Sequence, residues 1–346
     1  MSKVVLCGYY GQGNAGDEAL LVTLLQMLPT SVKPIVLSHN PTKTTVAYGI
    51  KAVKHKSLEA LKAIAASDAF VWGGGSLMQD VSSLASPIYY GALMKFAQLL
   101  GKKTLAWGQG IGPLNSAIAQ WITKSCLKGC DGVSVRDRGS ADLLNSWGVS
   151  HTLGPDPVWA LEGMTLDQDL DLPRPCIAVN LRSHRTLTPE RLAVLIAALK
   201  IFQQELNATI VLVPFQESQD GAIAAQLYEQ LEQPKTLAQV TKPQQFKSLF
   251  QQVDFLLGMR LHSLIIASSA GCACSALSYD PKVTQLQNQC NIPGFNLETL
   301  PNDAAAIADI WLQQFQASQS HNSLDIDIDA IQKDVRQHKQ LLSLLS

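Results

Sequence analysis

The sequence predicts an α/β protein built from two doubly wound domains that face one another across a cleft. Three observations carry that reading. Short apolar runs ending in Gly or a polar residue alternate with longer segments of helical periodicity, the pattern of a parallel sheet with crossover helices. The alternation stops in a proline-bearing acidic stretch and then starts again. A length of 346 residues, 47% of them hydrophobic, suits two cores better than one.

The first series places strands over 3–8, 35–39, 69–72, 103–107 and 132–136, with helices between them. The second places strands over 176–181, 209–214, 254–257 and 273–278. Between them, residues 156–175 hold Pro157, Pro173, Pro175 and five acids, a linker composition. The expected domains are 1–160 and 174–300, followed by helices over 301–346 with a polar acidic turn at 323–329. Ligands of such folds bind at the carboxyl ends of the strands.

Three glycine-rich turns follow strands of the first series. In Gly8-Tyr9-Tyr10-Gly11-Gln12-Gly13-Asn14-Ala15-Gly16-Asp17-Glu18, Gly11, Gly13 and Gly16 match a dinucleotide fingerprint. No Asp or Glu occurs between Glu18 and Glu59 to hold a ribose, and Asp17 and Glu18 put negative charge where a pyrophosphate would sit, so a nicotinamide cofactor is disfavoured. Two readings stay open: a tight turn capped by Asn14 or Asp17, or a backbone that approaches a sugar or phosphate. The second turn, Trp72-Gly73-Gly74-Gly75-Ser76-Leu77-Met78-Gln79-Asp80, and the third, Trp107-Gly108-Gln109-Gly110-Ile111-Gly112-Pro113, belong to the same sheet edge. Together they read as a ligand-facing rim, although glycine also serves close packing of neighbouring loops.

Composition excludes several classes. Formal net charge is -1 with scattered basic residues, which argues against nucleic acid as a partner. No apolar run reaches the ~18 uncharged residues of a membrane span, and residues 1–6 read as the first strand, so a cytoplasmic protein is expected. The seven cysteines form no CxxC pair and read as reduced core thiols. No dense cluster of carboxylates or histidines suggests a metal.

The most informative segment is Gly258-Met259-Arg260-Leu261-His262-Ser263, where a strand gives way to a helix expected over 264–270. Unpaired N–H groups and the helix dipole favour anions at such a point. Arg260 adds a cation and His262 a group that titrates near neutrality, so the segment suits a phosphate site that also moves a proton. A histidine there can also be a cap or a packed ring. Arg136 and Arg182 end strands, and Lys282 follows Ser278-Tyr279-Asp280-Pro281 past another. Arg136, Arg182, Arg260 and Lys282 are therefore expected to gather around a small polyanion. Arg138 reads as a surface partner of Asp137. His39, His55, His151, His184 and His321 lack such a setting, with His184 the reserve because it lies near Arg182.

Taken in order, the Asn14-Ala15-Gly16-Asp17-Glu18 core of 8–21 and the stretches 72–80, 109–113, 134–140, 156–158, 258–263 and 278–282 resemble the polysaccharide pyruvyltransferases, specifically the bacterial cell-surface-anchoring type. The resemblance runs to about residue 300, and the helices beyond carry no signature. It implies two Rossmann-like domains of GT-B-like glycosyltransferase architecture, phosphoenolpyruvate as donor, and a pair of sugar hydroxyls on a cell-surface glycan or its lipid-linked precursor as acceptor. It also implies His262 as general acid and Arg136 and Lys282 as donor ligands, to which Arg182 and Arg260 are added from their placement. Asn14, Asp17, Glu18, Gly74, Gly75 and Asp80 are the expected acceptor-side residues. No cofactor is needed, and membrane association would come through the acceptor at the inner face of the plasma membrane. A nucleotide-sugar glycosyltransferase of the same architecture is the alternative.

Overall fold

The structure, a computed structural model, describes residues 1–81, 83–167, 172–320 and 326–346. His321 and residues 323–325 of the expected 323–329 turn lie outside the described residues, as does part of the linker. The chain forms two compact units. The first comprises Met1–Leu161 with Asp329–Ser346, and the second Glu162–Ile328.

The first unit runs β1 (Ser2–Cys7), α1 (Ala15–Met27), β2 (Val32–Ser38), α2 (Pro41–Tyr48), β3 (Lys51–Lys54), α3 (Leu58–Ala65), β4 (Ala69–Gly75), α4 (Ala85–Leu99), β5 (Lys103–Gln109), α5 (Ala117–Lys128), β6 (Gly132–Val135), α6 (Arg138–Trp147) and β7 (Thr152–Leu153). Its strands pair in parallel in the order β3-β2-β1-β4-β5-β6-β7. The reversal at β1 and β4 is the switch point where doubly wound sheets open for ligands. Central strands are apolar on both faces because helices cover both: every residue of β4 is buried.

The second unit runs β8 (Cys176–Asn180), α7 (Pro189–Leu206), β9 (Thr209–Leu212), α8 (Glu217–Gln230), β10 (Lys235–Leu237), α9 (Pro243–Phe250), β11 (Phe255–Gly258), α10 (Leu261–Ser269), β12 (Ala273–Ser278), α11 (Pro281–Cys290) and β13 (Gly294–Asn296), then α12 (Ala304–Ser320). Its parallel order is β10-β9-β8-β11-β12-β13. The stretch from 301 is divided between the units. α12 lays Trp311 and Phe315 against Phe202 of α7, at ring separations of 5.9 and 6.4 Å, whereas α13 (Ile328–Leu342) joins the first unit.

Helix boundaries follow capping chemistry. The side chains of Asn14, Asn40, Ser57, Ser116, Asp137, Thr188 and Asp280 each accept an N–H from the first turn of the helix they precede. Proline occupies the first turn of α2, α7 and α11, where its missing N–H costs nothing. The four strands that the apolar pattern does not reveal, β3, β7, β10 and β13, all lie at sheet edges. They are short, and Lys51-Ala52-Val53-Lys54 and Lys235-Thr236-Leu237 carry the lysines that edge strands use against further pairing.

Candidate functional site

In the second unit, β8, β11 and β12 lie side by side, with Gly258 opposite both Asn180 and Ala276. Their carboxyl ends therefore deliver Arg182, Arg260 and Tyr279 to one edge. The helix expected to begin at 264 begins three residues earlier, at Leu261, with Arg260 as its N-cap residue. His262 thus sits inside the first turn of α10, half-buried. Lys282 holds the same second position in α11, where its N–H reaches Asp280 Oδ1 at 2.9 Å. An imidazole and an ammonium group consequently occupy equivalent sites on two helix N-termini that follow neighbouring strands.

The two arginines are already engaged. Arg260 Nε donates to Asp220 Oδ2 at 2.8 Å and Nη2 to Oδ1 at 2.6 Å, in a pair whose side chains are 7% and 0% exposed. Asp220, in the first turn of α8, also accepts the N–H groups of Phe215 and Gln216. Arg260 Nη2 lies 3.3 Å from Gln219 Oε1, which also accepts from Arg182 Nη2. Arg182 Nη1 donates to the Tyr279 hydroxyl at 2.9 Å, and its guanidinium carbon lies 5.2 Å from that ring's centroid. Arg182 Nε is buried without a hydrogen-bond partner. His184 also packs on this group, its ring centroid 4.6 Å from that of Tyr279. Burial, then Arg182 and Arg185, lower its pKa below the ordinary value, so it is neutral at pH 7. Burial also raises Tyr279 above its ordinary value, partly offset by Arg182.

The first unit presents mostly backbone at its carboxyl edge. Asn14 caps α1 through Gly16 N–H at 3.0 Å. Glu18 reaches back over the turn: Oε1 accepts Gly11 N–H and Oε2 accepts the Tyr48 hydroxyl, each at 2.7 Å. Burial raises its pKa, and these two hydrogen bonds oppose the shift. Tyr10 folds under the first two turns, donating its hydroxyl to Gly73 O at 2.5 Å. A Cβ at Gly73 would meet that hydroxyl at 2.1 Å, so glycine there makes room for Tyr10. Gly74 and Gly75 have φ of +90° and +83°, and a Cβ at Gly75 would lie 3.4 Å from Asp17 Oδ1. Asp80 accepts the N–H groups of Asn115 (2.8 Å) and Ser116 (2.6 Å), tying the second turn to the third. These bonds, that of Asn115 first, lower its pKa.

Arg136 brings a cation to this edge. Nη1 donates to Asp156 Oδ2 at 2.6 Å and Nη2 to Ser76 Oγ at 3.1 Å, with both charged side chains under 10% exposed. α13 supports it from behind. His338 Nε2 lies 2.8 Å from Pro155 O, and because a carbonyl only accepts, Nε2 carries the proton. Nδ1 faces Ser134 Oγ at 2.9 Å, and that oxygen also accepts Gly108 N–H.

The structure thus brings Arg182, Arg260, His262 and Lys282 to one edge of the second unit. It puts Asn14, Asp17, Glu18, Gly74, Gly75, Asp80 and Arg136 at the corresponding edge of the first. Sequence reasoning did not single out Gln219, Asp220 and Tyr279, nor Tyr10, Ser76 and Asp156. For Asp220 a signal existed: an acid in the first turn of a helix after an apolar strand, as at Asp17. All seven cysteines are free, and burial pushes Cys126 and Cys290 up to about 11 and Cys176 to about 12, so none of these three is a thiolate nucleophile at pH 7. Among the described residues, no group of three or more His, Cys, Asp or Glu is placed to hold a metal ion.

The family model for polysaccharide pyruvyl transferase matches residues 14–281. No curated protein matches the chain. Among solved structures, the S. aureus MnaA–UDP co-structure aligns with a TM-score of 0.66 at 12% identity, covering 99% of this chain and 98% of that one. A UDP-N-acetylglucosamine 2-epimerase from Listeria monocytogenes aligns at 0.64 and 11%, covering 96% and 94%. A glycosyltransferase from Rickettsia africae aligns at 0.60 and 14%, covering 99% and 95%. At these identities the likeness shows the fold alone, two Rossmann-like units of GT-B-like architecture.

Proposed function

Because the chain belongs to the polysaccharide pyruvyl transferase family, we propose that it transfers pyruvate from phosphoenolpyruvate to two hydroxyls of a glycan or lipid-linked saccharide, forming a ketal and releasing phosphate. The observation that carries the reading is the pairing of His262 and Lys282 on the first turns of α10 and α11, beside the Arg182–Gln219–Tyr279 group. Phosphoenolpyruvate has a phosphate and a carboxylate, and helix N-termini with cations suit both.

In this reading His262 protonates the donor's methylene carbon, which becomes the methyl group. The cationic central carbon takes up one sugar hydroxyl, phosphate leaves, and the neighbouring hydroxyl closes the ring. The two hydroxyl protons balance the one gained by carbon and the one carried off in the phosphate pool. Lys282 and Arg182 bind the donor's anionic groups; Arg136, the third proposed donor ligand, is held like Arg260 in a buried ion pair, with Asp156. Arg260 acts more through its ion pair with Asp220, which fixes the starts of α8 and α10, than as a free cation. Asn14, Asp17, Glu18, Gly74, Gly75 and Asp80 are proposed to shape the acceptor side, largely through the backbone they hold. The cell-surface-anchoring subtype and a cytoplasmic location at the inner face of the plasma membrane belong to the same proposal.

The test is phosphate release from phosphoenolpyruvate in the presence of candidate acceptors, with mass spectrometry for the pyruvate ketal. Full turnover by His262→Ala would remove it as the acid. The nucleotide-sugar glycosyltransferase reading rests on the shared fold. Binding of a nucleoside diphosphate sugar with no response to phosphoenolpyruvate would favour it.

A further inference from the structure

Residues 81–130 contain five lysines and no Asp, Glu or Arg, although the chain's 28 acids in 346 residues would place about four in a stretch of that length. The carboxylates that bound it, Asp80 and Asp131, are both turned onto backbone N–H groups, those of Asn115 and Ser116 and of Thr104. This acid-free stretch supplies α4 and α5, which lie against one another. Lys95 Nζ donates to Ser125 O at 2.7 Å and Gln98 Nε2 to Cys126 O at 2.9 Å. A Cβ at Gly91 would lie 2.4 Å from Ile122 Cγ2, so the glycine sets the close approach.

The outer ridges of these helices are apolar where soluble surfaces are usually polar. Trp121 is 71% exposed, Ile118 56% and Ile88 47%. Trp72, Trp107, Trp159 and Trp311 are all buried, so the exposed indole is a departure within this chain. Ile118 and Trp121 stand one turn apart on α5, and Ile88 opens the same face of α4. Lys124 follows Trp121 by three residues and Lys128 by seven, which puts their ammonium groups roughly 5–10 Å farther along the helix.

We propose that the α4–α5 face docks on an anionic lipid bilayer. The apolar tip of Ile88, Ile118 and Trp121 enters the interface to a depth of about 5–10 Å. Lys124 and Lys128 then meet lipid phosphates at headgroup level, and indole favours that same boundary. A partner surface rich in phosphate matches two helices that carry lysines and no carboxylates. No helix among the described residues is long and apolar enough to cross a membrane, so this attachment is interfacial. Both helices begin at the carboxyl edge that carries the glycine turns, so docking would hold that edge next to a lipid-linked saccharide; only this use of the surface rests on the reading above.

The experiment is flotation of the full chain with vesicles of phosphatidylglycerol and phosphatidylcholine, against phosphatidylcholine alone. The protein floats with the anionic vesicles at low salt, is released as salt rises, and stays behind with the neutral ones. Its tryptophan emission shifts to the blue on binding, and Trp121→Phe loses the shift. The double variant Ile118→Ser/Trp121→Ser binds at least tenfold less, and Lys124→Gln or Lys128→Gln each about fivefold less, all with unchanged circular dichroism. Failure to float with anionic vesicles, or flotation indifferent to these substitutions, overturns the proposal. So does a concentration-dependent dimer abolished by Trp121→Ser in a protein that ignores vesicles, which would assign the face to a second copy. Vesicle binding needs no phosphoenolpyruvate, so failure of this surface and failure of the transfer reading are read in separate assays. Phosphate release with a water-soluble acceptor is expected to be unchanged in Trp121→Ser.

Discussion

The carboxyl edges of the two sheets have the same topology and opposite chemistry. In the first unit the edge is made of backbone: glycines at positive φ, held in place by Tyr10, Glu18 and Asp80. In the second it is made of side chains just past strand ends or on helix starts, Arg182, Arg260, His262, Tyr279 and Lys282. A polar residue at a strand end is therefore an unreliable sign of a free functional group. Glu18 and Asp80 have their oxygens occupied by the loops they hold, and Arg260 has Asp220. The difference matches the proposed roles, since a sugar is recognised through shape and backbone polar groups while a small polyanion needs fixed positive charge.

That comparison can be broken at several points. His262→Ala should lower turnover about 10²- to 10⁴-fold with stability unchanged, as removal of a general acid does; a change confined to the donor KM would make it a binding residue instead. Arg260→Ala leaves Asp220 buried and unpaired, and should cost about 3–5 kcal/mol in denaturant unfolding. Arg260→Ala/Asp220→Ala should recover part of that, and a loss of donor affinity alone would mean that the ion pair is not Arg260's main role. Glu18→Gln keeps an acceptor for Gly11 N–H and a polar partner for Tyr48. Turnover within about threefold of the parent fits a loop staple, whereas a loss of 10²-fold or more would make Glu18 a base.

The smallest effect is that of pH on the first unit. Burial lowers His338 below its ordinary 6.5 and His55 to about 4. The unfolded chain binds these protons first, so their contribution to stability is complete above about pH 6.5 and is lost as pH falls through the folded-state values. Thermal unfolding followed from pH 7 to pH 4 should show a falling midpoint, with a shallower slope in His338→Gln. An identical slope would remove His338 from the account.

Much of this was legible in the sequence because it depends on local rules. Apolar runs such as Ala69-Phe70-Val71-Trp72 mark central strands, and the cation-bearing segment at 258–263 lies at a strand-to-helix junction as expected. Edge strands were invisible because Lys51–Lys54 and Lys235–Leu237 need little apolar content to pair on one side. The start of α10 was misjudged by three residues because Arg260 caps it without a side-chain hydrogen bond of the usual kind. The partners Asp156, Asp220 and Tyr279 lie 20, 40 and 97 residues from the arginines they bind.

The order of the elements, the glycine turns, and the placement of Arg136, Arg182, Arg260, His262 and Lys282 at strand ends were determined by the sequence itself. Periodicity and capping are properties of neighbouring residues. Which of those charges is neutralised was decided only by the tertiary structure, as was the division of the last two helices between the units. Both depend on contacts across tens to hundreds of residues, such as Arg260 with Asp220 and His338 with Ser134, and sequence spacing carries no record of those.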